Sequence, residues 1–187
     1  YGFVGLYMED TIQVEEEPYF GYMRGALTCE ELKEADAYAE IFGIELRPFI
    51  QTLAHLNQIV RYEEYQKIID TDDILLAEDP RTKTLLEHLI RTVSKNFSSK
   101  KINIGMDEAH MVGLGKYLDR HGYRNRQEIM QRHLEMVLSI CKQYGFTVQM
   151  WSDMFFRLAF HGAYYENDVE KLRGIHIPQE VEIGYWD

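Results

Sequence analysis

Two adjacent carboxylates and a nearby imidazole are the residues best suited to chemistry. In Ile102-Asn-Ile-Gly-Met-Asp107-Glu108-Ala-His110 a short apolar run ends in Asp107 and Glu108, with His110 just beyond. Ile102, Ile104 and Met106 alternate as one buried face of a strand does. Gly105 lets a neighbouring backbone or ligand come close. Paired acids at the mouth of a strand suit acid/base work on a bound substrate. Neighbouring residues on a strand point to opposite faces, so Asp107 and Glu108 can reach one ligand only where the strand breaks. They are poorly placed to flank a bond as separate nucleophile and acid, which usually stand about 5 to 9 Å apart. They suit a substrate that carries its own nucleophile, such as a 2-acetamido carbonyl attacking the anomeric carbon. One carboxylate would then hold the acetamido N–H and its developing charge while the other protonates the leaving oxygen.

The elements that must position these groups alternate. Strand-like runs fall at Phe3–Met8, Ile44–Ile50, Ile102–Met106, Thr147–Trp151 and Val181–Tyr185. Helical stretches lie between them. Thr28 and Glu31 form a capping box, opening a helix with Leu32, Ala35, Ala39 and Phe42 on one face. Asp79-Pro80 opens another, with Leu85, Leu86, Leu89, Ile90 and Val93 on one face. A short helix is expected over Tyr62–Ile69 and a loop over Thr71–Asp79. Further helices are expected over Lys116–His121, Arg126–Tyr144 and Met154–Phe160, and Gly162–Pro178 has no clear pattern. Alternation without paired hairpins implies right-handed crossovers and a parallel sheet. Each strand ends in polar or aromatic residues, as in a (β/α)8 barrel. A doubly wound sheet is the runner-up, but the Gly-rich phosphate turn it usually carries after the first strand is missing. Five strands do not close a barrel of eight, so about three are expected outside this chain. The chain is expected to be one partial barrel domain over residues 1–187, cut at both ends.

Bulk properties narrow the function. Of 187 residues, 45% are hydrophobic and 27% charged, ordinary for a globular protein. The net charge of -11 argues against nucleic acid or an anionic membrane as the main partner. No apolar run is long enough to span a bilayer. Cys29 and Cys141 suggest no disulfide framework; reduced thiols agree with a cytoplasmic location, and secretion stays open because a signal peptide could precede Tyr1. Self-association is compatible with the sequence.

The strand ends together carry a resemblance. Gly105-Met-Asp107-Glu108 resembles the catalytic Asp-Glu motif of family 20 of the glycoside hydrolases, the β-N-acetylhexosaminidases. Leu6-Tyr-Met-Glu-Asp10-Thr is similar to the second-strand end of that barrel. Thr52-Leu-Ala-His55-Leu-Asn57-Gln is similar to the third, Trp151-Ser-Asp-Met to the fifth, and Val181-Glu-Ile-Gly-Tyr-Trp186-Asp to the sixth. The resemblance covers the whole chain, from second to sixth strand, and looks closest to the bacterial branch of smaller hexosaminidases. It implies retaining, substrate-assisted removal of terminal β-linked N-acetylglucosamine or N-acetylgalactosamine through an oxazolinium intermediate, with glycans or glycoconjugates as partners and no metal or organic cofactor. It implies Glu108 as general acid and then base, and Asp107 as the group that orients the acetamido. Asp10 and His55 would relay toward Glu108, and Trp151 and Trp186 would wall the acetamido pocket. His110 would stand on the leaving-group side. The first-strand Arg and the seventh- and eighth-strand Tyr, Trp and acid of the family have no match here. A chain without those strands is expected to be poorly active or inactive alone.

Other readings compete. Asp10, His55, Asp107 and His110 are acceptable ligands for a metal-dependent hydrolase, although no His-x-His or His-Glu-x-x-His spacing occurs. Asp107-Glu108-Ala-His110 spells a helicase motif, but no upstream phosphate loop accompanies it. A carbohydrate-binding barrel without catalysis would keep Trp151 and Trp186 and have no use for Asp107, Glu108 and His55 together.

Overall fold

The computed structural model describes residues 2–165 and 167–186, so Tyr1, Glu166 and Asp187, the last residue of the stretch similar to the sixth strand end, lie outside the described residues. The elements run β1 (Phe3–Glu9), α1 (Cys29–Ile41), β2 (Glu45–Ile50), α2 (Glu63–Gln66), β3 (Ile69–Thr71), β4 (Ile74–Leu75) and α3 (Pro80–Asn96). They continue with β5 (Lys101–Asn103), α4 (Lys116–His121), α5 (Arg126–Gln143), β6 (Thr147–Trp151), α6 (Asp153–Arg157), α7 (Val169–Arg173) and β7 (Val181–Gly184).

All five expected strands form, and they pair parallel in the order β1-β2-β5-β6-β7. That order follows the chain without reversal. A doubly wound sheet reverses at a switch point, so strictly sequential winding favours the barrel arrangement. Register places Tyr7, Phe49, Asn103, Gln149 and Glu182 in one row across the sheet. The alternate residues Met8, Leu46, Ile50, Ile102, Ile104, Val148 and Met150 are buried in the hydrophobic core.

The helices start where their caps direct. Thr28 Oγ1 accepts the Glu31 N–H at 3.1 Å, and Glu31 Oε2 accepts the Thr28 N–H at 2.8 Å, the reciprocal capping box. Asp79 Oδ1 accepts the Arg81 N–H at 2.9 Å, with Pro80 in the first turn of α3. Leu85, Leu86, Leu89, Ile90 and Val93 are all buried. Each stabilises the chain by about 1.5–3 kcal/mol relative to exposure, so Leu89→Ala should cost about 2–5 kcal/mol.

Four local expectations are corrected. The strand before the acid pair ends at Asn103, because Gly105 and Met106 turn left-handed at φ 69° and 67°. A hairpin does form: β3 and β4 pair antiparallel around Asp72, itself left-handed at φ 46°, where helix and loop were expected. It is fastened by buried Asp70, which accepts the N–H of Gly113 at 2.6 Å and of Tyr117 at 2.8 Å. On α1 only Leu32 is buried and Phe42 is exposed, because this helix packs on β2 and α3 beside β1, the last strand on that side of the sheet. The helix expected over Met154–Phe160 ends at Arg157. Among the described residues no helix is long and apolar enough to cross a membrane, and Cys29 and Cys141 are free thiols.

Candidate active site

Parallel strands bring their C-terminal ends to one rim, and the ends of β2, β5 and β6 build the site there. After β5 the chain leaves the sheet through the left-handed residues Gly105 and Met106, and Glu108 is left-handed as well at φ 55°. This break lets two adjacent carboxylates, which regular strand geometry would direct to opposite faces, both reach His55.

The two acids are held differently. The Asp107 side chain is 13% exposed and accepts a hydrogen bond from Gln51 Nε2 at 2.8 Å. Burial works to raise its carboxyl pKa, but His55 and Gln51 together outweigh burial and lower it. The Glu108 side chain is 44% exposed. Its backbone N–H donates to Asp153 Oδ2 at 3.0 Å. Asp153 is fully buried at the start of α6. Burial raises the Asp153 carboxyl pKa, against the bond from the Glu108 N–H, and the Asp107 charge raises it further.

His55 joins the pair. Its Nε2 stands 3.2 Å from Asp107 Oδ2 and 3.6 Å from Glu108 Oε2, ion-pair distances without the alignment of a hydrogen bond. Contact with Asp107 raises its pKa to about 9, against burial, which acts in the opposite direction. The raised pKa favours an imidazolium beside the Asp107 carboxylate at neutral pH. The backbone of His55 is left-handed at φ 58°. The segment that carries it is fixed from behind: Thr52 Oγ1 donates to the Ile104 carbonyl at 2.8 Å, and the Thr52 carbonyl accepts from His133 Nε2 at 2.8 Å.

The remaining expected residues are distributed around the rim. Asp10 is buried and accepts Arg24 Nε at 3.2 Å. Asp10 thus takes a cation from its own loop, and His55 contacts Asp107 and Glu108 directly. Trp151 is half-buried, edge-on to Phe49 with centroids 5.9 Å apart. Gly184 gives it room, since a Cβ there would stand 3.1 Å from the indole. Trp186 packs on Tyr164 at 5.9 Å, and its buried Nε1 has no acceptor among the described residues. His110 is exposed; its N–H closes a turn onto the Glu108 carbonyl at 2.7 Å, and its carbonyl accepts from Arg126. Sequence reasoning missed Tyr7, Gln51, Asp153 and Tyr164. Asp153 had a signal, since it lies in the Trp151-Ser-Asp153-Met strand end; the position of Gln51 at a strand end was the only sign of its role.

A sequentially wound parallel sheet with an acid pair on its C-terminal rim defines part of a (β/α)8 barrel. No protein-family model matches the chain. Bovine hexosaminidase D is 24% identical over 187 residues, covering 91% of this chain and 51% of that relative. The GH20 exo-β-N-acetylglucosaminidase of Vibrio harveyi, solved with N-acetylglucosamine, superposes with a TM-score of 0.71 at 14% identity over 98% of this chain and 33% of its own. The N-acetyl-β-hexosaminidase of Streptomyces plicatus, solved with Thio-NAglucal, gives 0.71 at 17% identity over 100% of this chain and 36% of its own. The chain thus has the fold of part of a family 20 glycoside hydrolase barrel, and its resemblance to that family holds across its length. It spans about half of hexosaminidase D and about a third of the two solved chains.

Proposed function

We propose that this chain is the catalytic portion of a retaining β-N-acetylhexosaminidase, residues 1–187 forming part of one barrel domain. The observation that carries this reading is the inequality of two neighbouring carboxylates: Asp107 is enclosed and held ionised by His55 and Gln51, while Glu108 is open to the rim. The names of the relatives support it.

Each group then has a task. Glu108, in its acid form, gives its proton to the glycosidic oxygen as the C1–O bond breaks. The acetamido carbonyl oxygen of the sugar forms the new bond to C1 from the opposite face. Asp107 accepts the acetamido N–H and stabilises the positive oxazolinium ring. Water then attacks C1, Glu108 takes its proton, and the ring opens with the anomeric configuration retained. His55 offsets one negative charge of the pair. Trp151 and Trp186 wall the acetamido group, His110 stands on the leaving-group side, and Asp10, held by Arg24, belongs with His55 to the relay toward Glu108.

The metal-dependent alternative loses support from the geometry, since Asp10 is engaged by Arg24. Among the described residues no group of three His, Cys, Asp or Glu side chains is placed to hold a metal ion. The deciding experiment assays the full-length parent with aryl N-acetylglucosaminides and N-acetylgalactosaminides, with and without a thiazoline mimic of the oxazoline. Hydrolysis inhibited strongly by the mimic is expected. Equal turnover of an aryl glucoside lacking the acetamido group would overturn the mechanism.

A further inference from the structure

Gln51 is wholly buried at the end of β2, and all of its amide contacts lead into the acid site. Oε1 accepts the Met106 N–H at 3.3 Å. A backbone N–H can only donate, so this contact fixes which end of the amide is oxygen. Nε2 must then face the other way, where it donates to Asp107 Oδ1 at 2.8 Å and to the Tyr7 hydroxyl at 3.0 Å. Both hydrogens of Nε2 are thereby used, and Oε1 has its donor. Gly105 makes room for this arrangement: an added Cβ would stand 2.1 Å from Gln51 Oε1 and 2.8 Å from the Ile50 carbonyl oxygen. One side chain therefore engages β1 through Tyr7, the turn after β5 through Met106, and the carboxylate of Asp107.

We infer that Gln51 is the positioning residue of Asp107, holding Oδ1 in one orientation so that Oδ2 is left for His55 and for a bound ligand. The inference rests on the acetamido-orienting role proposed for Asp107, and it gives that role a physical origin. A carboxylate on a free side chain would rotate. One tied at Oδ1 by a buried amide presents the same oxygen to each substrate, and a misplacement of about 1 Å can cost about a hundredfold in rate. The amide also supports the charge, being one of the contacts that lower the Asp107 pKa. The titratable groups facing Asp107 are Tyr7 from β1, His55 from the segment after β2, Glu108 beside it and Asp153 from α6.

The test uses the full-length parent with its aspartate carboxyls labelled, followed by NMR. Gln51→Leu removes both donors at nearly the same size, and Gln51→Glu keeps the shape but replaces the donor by a second acid. In both variants the Asp107 carboxyl should titrate at higher pH than in the wild type. In the full-length parent, Gln51→Glu should move the activity optimum toward acid, where a protonated Glu can again donate to Asp107. Its kcat should fall at neutral pH by up to about a hundredfold. An Asp107 titration unchanged in folded Gln51→Glu, judged by circular dichroism, would overturn the inference even if Gln51→Leu fails to fold. The titration requires no turnover. A shifted Asp107 in a parent that does not cleave aryl N-acetylglucosaminides supports the inference about Gln51 and counts against the proposed function.

Discussion

His55 and Asp107 face each other across 3.2 Å, Nε2 to Oδ2, although one leaves the end of β2 and the other the end of β5. This pair sets a pH window. The His55 pKa in the fold, about 9, lies above its ordinary 6.5. Its stabilisation is therefore fully present below pH 6.5 and is lost as pH rises through 9, provided Asp107 remains ionised. Asp107 has a lowered pKa, so its contribution holds above its ordinary value of 3.8 and is lost on acidification. Melting temperature should accordingly fall between pH 6.5 and 9 in the wild type, and much less in His55→Asn. Parallel curves for the two proteins would refute the pairing.

The division of labour within the acid pair is testable by substitution. Glu108→Gln keeps the shape and removes the proton donor, a change that typically costs about a hundredfold to ten-thousandfold. The loss should be greatest for substrates with poor leaving groups, because good ones need less protonation. Asp107→Ala should act differently. It should impair N-acetylhexosaminides and leave the slow cleavage of plain glucosides nearly unchanged. Side-by-side kinetics on both substrate types read this out. Near wild-type rates in Glu108→Gln would eliminate it as the acid.

A second histidine has the opposite sign. His133 on α5 is completely buried, with Nε2 on the Thr52 carbonyl and Nδ1 without a partner among the described residues. Burial lowers its pKa to about 4 from 6.5. Between those values the unfolded chain binds a proton that the fold does not, so stability falls as pH drops through that range. The loss should be on the order of 3 kcal/mol, since each tenfold drop in proton affinity corresponds to about 1.36 kcal/mol. Urea midpoints at pH 6.5 and 4 check this: the wild type should lose more stability than His133→Gln. Equal losses would remove His133 as the cause.

The sequence made legible whatever is local. Strand runs, the capping box at Thr28 and Glu31, the Pro80 start of α3 and the acid pair depend on neighbouring residues. Their signals are spacing and residue type. What was missed is pairing across the sheet. The bond between Gln51 and Asp107 joins residues of two strand ends, and no periodicity announces it. The contact of Asp10 with Arg24 escaped for a related reason: the resemblance supplied His55 as the partner of Asp10, and the loop after β1 adds Arg24 close at hand. The β3–β4 hairpin escaped notice because its strands are only three and two residues long.

Asp153 provides the last test, because it acts on Glu108 only through the backbone. The bond from the Glu108 N–H to Asp153 Oδ2, 3.0 Å long, holds a residue whose φ is +55°, a conformation that non-glycine residues rarely adopt. Asp153→Ala would leave that N–H without its acceptor, at about 1–3 kcal/mol, and would let the turn relax. Asp153→Asn keeps an acceptor oxygen of the same shape while removing the charge. If the bond is what matters, Asp153→Asn should retain most of kcat and Asp153→Ala should lose at least about tenfold, with KM little altered, since a displacement of the acid by about 1 Å is enough for a larger loss. If instead the buried charge matters, the two variants should fall together and their pH profiles should shift alike. The Arg157 guanidinium lies 3.9 Å from Asp153 Oδ2 and would be left facing a neutral group in both variants, so it does not separate the two outcomes. A folded Asp153→Ala protein with unchanged kcat would show that Glu108 holds its conformation without Asp153.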